Sequence, residues 1–186
     1  MLRRVKNHVI LKVYFKHEIH GGSPDAPERT VGIRVSMETD ANVPLPSTNQ
    51  SLFGGNLKLK TFTYRGPTRS ALKVVNIPIL ARDITLFQFL APVKEHHMHR
   101  FLFVSSGRDF MGCRDFITQL VRRLDLAGII DPSSEVESVY QVLAFRYLDP
   151  DYVDEHELRE LNRIDRGMFV QSYVRVDIPG HSHLCP

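Results

Sequence analysis

The spacing of apolar residues has a period of two in the first half of this chain and of three to four further on. That change restricts the folds available to it. Residues 8–16 alternate, with Val9, Leu11, Val13 and Phe15 on one side and Lys12, Tyr14 and Lys16 on the other. Val31, Ile33, Val35 and Met37 alternate again, with Arg34 opposite. Leu57, Leu59, Thr61 and Thr63 alternate with Lys58, Lys60, Phe62 and Tyr64. A period of two is that of a strand buried on one face. The first two segments are expected to pair as an antiparallel hairpin. His99–Val104 reads as a short apolar strand, and Met168–Val176 as a returning one.

From Asp109 to Gly128 the pattern is helical. Phe110, Cys113, Phe116, Ile117, Leu120, Val121, Leu124 and Ala127 recur at three and four, opposite Arg114, Thr118, Arg122 and Asp125. Ser106 or Asp109 is expected to cap this helix, and Gly128 to stop it. Ser134 and Glu137 match a capping box, which predicts a second helix to about Tyr147, although Val142–Phe145 also fits a buried strand. Asp149-Pro150 opens a third expected helix over 151–166, with Leu158, Leu161 and Ile164 inside. Residues 40–56, rich in Asn, Pro, Ser and Gly, read as a long loop. Residues 70–80 look extended, but Pro78 confines them to a sheet edge or a strand end. Residues 83–90 fit either helix or strand. The expected fold is α+β, a mainly antiparallel sheet from the N-terminal half with two or three C-terminal helices on one face.

At 186 residues, a single domain is expected over 1–178, followed by a tail over 179–186. With 42% hydrophobic and 24% charged residues, the composition is that of a globular domain and not of a disordered or collagen-like chain. No apolar run approaches the roughly 20 residues of a membrane span. The basic start, Met1–Lys6, lacks the apolar run of a signal peptide. The two cysteines, Cys113 and Cys185, are too few for a disulfide framework. A reducing, intracellular compartment, cytoplasmic or nuclear, is the expectation.

Candidate chemistry begins with histidine. His96, His97 and His99 form one cluster, and His181, His183 and Cys185 another. Imidazole and thiolate are zinc ligands. Brought together, the two clusters would support a metal-assisted hydrolase, with zinc as the cofactor implied. The strand-to-turn sequence Val104-Ser105-Ser106-Gly107-Arg108 lacks the first Gly of a nucleophile elbow, so no catalytic residue is assigned there. Leu126–Asp131 resembles the signature helix of the LAGLIDADG homing endonucleases, but Ser133 stands where that family's metal-binding acid falls. An ordinary helix stop accounts for the string. His99–Val104 resembles the aromatic strand of RNA recognition motifs. Without the Arg-Gly pair before it, Phe101 and Phe103 are expected to pack under the following helix.

The net charge is +3, from 24 Lys and Arg against 21 Asp and Glu. The arginines are dispersed among acids, whereas lysines concentrate on two strand faces beside aromatic rings. Lys12, Tyr14 and Lys16 form one set; Lys58, Lys60, Phe62 and Tyr64, with Arg65 and Arg69 after them, form the other. If the two strands are neighbours, one sheet face is cationic and aromatic. Such a face suits nucleic acid, an anionic membrane surface or an acidic protein partner. The expected function is therefore a non-enzymatic binding or assembly module without a required cofactor. A viral matrix or accessory protein fits the description, and self-association is a further option.

Overall fold

A computed structural model describes residues 8–21, 29–42, 52–68, 71–106, 109–133, 139–147, 159–161, 167–170 and 174–179. The alternating segments form strands as their patterns predict. β1 (Leu11–Ile19), β2 (Thr30–Thr39) and β3 (Leu52–Phe62) pair antiparallel in that order. β3 then pairs with β4 (Phe101–Ser106). On β4, residues Val104–Ser106 take β5 (Asp109–Met111), and Phe101 and Leu102 take β8 (Met168–Phe169), all antiparallel. The sheet order is β1-β2-β3-β4-β5, with β8 as a sixth strand.

Helices cover one face of this sheet. α1 (Leu86–Glu95) occupies the segment whose sequence fits either helix or strand. Its type is decided at Thr85, whose hydroxyl accepts from the Gln88 amide at 3.2 Å while Gln88 Oε1 accepts from the Thr85 amide at 2.9 Å. α2 (Cys113–Leu126) buries Phe116, Ile117, Leu120, Val121 and Leu124. They meet Val13, Ile33, Val35 and Met37 from the sheet and Phe89 and Val93 from α1. Phe101 lies under α2 as its sequence predicts, with its ring edge-on to Phe103, Phe116 and Phe169 at 5.3, 5.8 and 4.9 Å. α3 (Val139–Ala144) adds Val139, Tyr140 and Leu143 to the same core. The α+β class and the antiparallel sheet are as expected.

Several boundaries differ. α2 begins four residues later than its pattern predicts, because Asp109–Met111 are drawn into the sheet by β4. Its N-cap is Gly112, at φ +134°, with no side-chain cap. Its end follows the prediction: at Gly128, φ is +65°, its amide reaches Asp125 O at 2.8 Å and the Ile129 amide reaches Leu124 O at 2.9 Å. Leu52–Asn56, expected within a loop, are the start of β3. Gly55 reads as loop but serves packing, since a Cβ there would sit 2.8 Å from Phe101 O and 2.9 Å from Met37 Sδ. Residues 71–78 form no strand, and Ile79 makes only an isolated bridge to Ile130.

The second helix ends at Ala144, before the expected Tyr147, and runs directly into β6 (Phe145–Tyr147). β6 pairs with β7 (Arg159–Leu161), which replaces the expected third helix at those residues. A strand partner outweighs the local helical pattern there. The returning strand is confined to Met168–Phe169 among the described residues.

Candidate anion-binding face

The open face of the sheet collects the side chains that alternate away from the core. β1 and β3 are not neighbours, because β2 lies between them. The register nevertheless aligns their lysines. Lys12 lies opposite Arg34, and Arg34 opposite Lys60. Three cations thus form a row across three strands, at steps of about 4.8 Å. Lys58 follows on β3 opposite Ser36, and Glu38 lies opposite Asn56.

Arg34 and Glu38 are the members that the sequence reading left out of the site. Their signal is the alternation of β2, which puts Arg34 opposite Val35 and Met37 once β2 is known to be central. Glu38 Oε1 accepts from Ser36 Oγ at 2.9 Å and from Arg34 Nη2 at 3.4 Å, and Oε2 lies 3.8 Å from Lys60 Nζ. Partial burial alone would raise the Glu38 carboxyl. The Ser36 hydroxyl and the charges of Lys60, Arg34 and His8 outweigh it and hold the carboxyl below its usual range. Arg34 Nε is buried and has no hydrogen-bond partner among the described residues.

One residue pair along, Tyr14 and Phe62 flank Gly32. With no side chain between them, their rings meet edge-on at 5.3 Å. Lys12 Nζ sits 4.9 Å from the centre of Phe62 and 4.5 Å from that of Tyr64. It donates to Gly66 O at 3.0 Å and to Tyr64 Oη at 3.5 Å. Tyr14 Oη donates to the same carbonyl at 3.0 Å. Arg65 lies 5.9 Å from the Tyr14 ring centre and donates to Phe15 O at 3.4 Å. The rings are therefore engaged with one another and with the cations, and Phe62 is only 9% exposed.

The remaining expected site residues fall elsewhere. The β1–β2 ladder is irregular between Tyr14 and Ile19, and Lys16 pairs with Asp83 ahead of α1 at 3.3 Å. It does not join the row. Arg69 lies outside the described residues. His96 ends α1, and burial followed by the charge of Arg123 lowers its pKa. His97 has φ +52°, and its ring is 6.2 Å from that of His99. His181, His183 and Cys185 lie outside the described residues. Among the described residues, no three His, Cys, Asp or Glu side chains gather as a metal site. Cys113, expected to be buried, is half-buried at the first turn of α2.

A family model described as a domain of unknown function, DUF7770, matches residues 27–170, more than three quarters of the chain. The chain belongs to this family. The DUF7770 match takes in Arg34, Glu38, Lys58, Lys60 and Phe62, while Lys12 and Tyr14 precede it. Comparisons with curated proteins and with solved structures find no match. Among the described residues of this DUF7770 chain, no helix is long and apolar enough to cross a membrane.

Proposed function

We propose that this DUF7770 protein is a non-enzymatic binding module that docks an acidic protein partner on the lysine-bearing face of its sheet. The observation that carries the reading is the in-register row Lys12–Arg34–Lys60. At its centre is Arg34, whose side chain is 31% exposed and whose Nη2 donates to Glu38 Oε1 at 3.4 Å. A partly exposed guanidinium suits a carboxylate, which it can take in a two-pronged geometry.

The chemistry of the face favours protein over the other polyanions. A single-stranded nucleic acid needs ring faces on which to stack. Here Lys12 lies over Phe62 and Tyr64, and Phe62 is buried. A phosphate backbone or an anionic lipid surface is uniformly negative, whereas Glu38 sits ionised among the cations and repels such a surface. A peptide with acidic residues spaced along a strand places carboxylates beside Arg34 and Lys60 and avoids Glu38. With two cysteines in the whole chain, the reading places the protein in a reducing cytoplasm or nucleus. An assembly role of the viral matrix or accessory type falls within it.

The test is a titration with a labelled Glu-rich peptide, a single-stranded oligonucleotide and phosphatidylserine vesicles, each at two salt concentrations. Peptide binding that weakens with salt, and drops at least about tenfold in the Lys58→Glu, Lys60→Glu protein, is the expected result. Absence of salt-sensitive peptide binding, or binding unchanged by the double substitution, overturns the proposal. Tighter binding of the oligonucleotide or vesicles than of the peptide overturns the choice of partner.

A further inference from the structure

Behind the same strand lies a second feature of different chemistry. A cavity of about 480 Å³ opens along the outer edge of β1, between that strand, the extended residues 71–79 and the helices α2 and α3. Its depth is apolar, formed by Val13, Ile77, Val121, Leu124 and Leu143. Protein interiors are close-packed, and voids larger than a water molecule are few. An apolar hollow of this size is within the range of small-molecule sites.

Its polar lining comprises Lys12, Tyr14, Thr68, Lys73 and Asn76. Lys12 and Tyr14 line it together with Gly66, and both donate to the Gly66 carbonyl, at 3.0 Å each. This fixes the turn at Gly66, where φ is +103°, against β1. No Asp or Glu is found among the described residues that line the cavity. Lys12 itself is held by a carbonyl, a phenol and two ring faces, and by no carboxylate among the described residues. Lys12, which lines this apolar cavity and is held by no carboxylate among the described residues, is complementary to an anion with a hydrocarbon tail.

The geometry points to a binding site for a medium-chain aliphatic carboxylate. Its chain occupies the hollow, and its carboxylate accepts from Lys12. The site goes beyond the docking face and, of its cations, shares only Lys12 with it, since Arg34, Lys58 and Lys60 do not line the cavity.

Decanoate, decanol and decyltrimethylammonium, below their micelle concentrations, are the probes, titrated calorimetrically into the full chain. One-to-one saturable binding of decanoate, tighter than that of either other probe, is expected. Lys12→Met, which keeps the length of the side chain, is expected to weaken decanoate by about tenfold and leave decanol unchanged. Ile77→Phe, which fills the hollow from the segment over it, is expected to weaken both decanoate and decanol. Lys58→Glu with Lys60→Glu is expected to weaken neither, which separates this site from the acidic-peptide face. Circular dichroism establishes that each variant is folded. No saturable decanoate binding to the folded natural chain overturns the proposal. So does a Lys12→Met protein that binds decanoate as tightly as before, or one that loses decanol equally.

Discussion

Gly32 determines whether the aromatic cluster can close. A Cβ at this position would lie 2.2 Å from Val13 O and 2.6 Å from the tip of the Phe62 ring. The first contact is with backbone, which cannot swing aside. Gly32→Ala is therefore expected to separate β1 from β2 locally and to push Phe62 off Tyr14. The cost is about 1–3 kcal/mol, that of an overpacked interior, read as a lower urea midpoint at unchanged slope. An unshifted midpoint would show that the strands already have room. Glu38 carries a different residue-scale prediction. Its folded pKa is below its ordinary value of 4.5. A carboxylate with a depressed folded pKa stabilises the fold above the unfolded value, and that contribution disappears as pH falls through the folded one. Glu38→Gln is expected to be less stable than the natural chain at pH 7, by about 1 kcal/mol or less, and equal to it at about pH 2. Urea titrations at the two pH values check this; a difference that persists in acid would assign the loss to packing.

At the scale of elements, α2 has two buried faces, and only one is visible in its sequence. The apolar stripe from Phe116 to Leu124 announces a helix because its spacing is local. The opposite face contains Asp115 and Gln119, which are 3% and 2% exposed. Gln119 donates from Nε2 to Val176 O and accepts at Oε1 from the Val176 amide, both at 3.0 Å. Asp115 accepts from Arg175 Nη1 at 2.7 Å and from the Gly167 amide at 2.9 Å. Arg122 Nε donates to Asp177 O at 3.0 Å, and Arg123 donates to Val174 O. These partners are more than fifty residues away, and no spacing rule connects them. The same reason explains β7, where a partner strand overrides a helical pattern, and Gly55, whose role is set by Phe101. The cationic face was half legible: alternation placed Lys12, Tyr14, Lys58, Lys60 and Phe62, while the intervening β2, and hence Arg34 and Glu38, required the strand order. Gln119→Ala is expected to destabilise by about 1–3 kcal/mol, because the Val176 N–H and C=O lose both partners. Hydrogen exchange at Val176 should accelerate well before exchange in the apolar half of α2. Equal acceleration throughout would mean that Gln119 supports the helix and not the segment against it.

At the scale of the whole molecule, the matched span and the folded unit are different lengths of chain. The DUF7770 match ends at residue 170, yet Ile178 is 8% exposed in the core and residues 174–178 cover the polar side of α2. The match begins at residue 27, yet β1 precedes it, pairs with β2 and contributes Val13 to the core. A chain trimmed to 27–170 would expose one edge of β2, the apolar side of β1's contacts and the buried Asp115 and Gln119. A buried carboxylate stripped of its arginine costs about 3–5 kcal/mol, a large part of the 5–15 kcal/mol that holds a domain folded. The trimmed chain is therefore expected to unfold with a broad, low-temperature transition, and to lose the proposed acidic-peptide docking, to which Lys12 contributes. Restoring 8–26 without 171–186 should return the sheet edge but not the stability, because the α2 contacts remain open. Thermal melts followed by circular dichroism distinguish the three chains. A 27–170 chain that melts sharply at the temperature of the full one would show that both flanking segments are additions to a self-sufficient core.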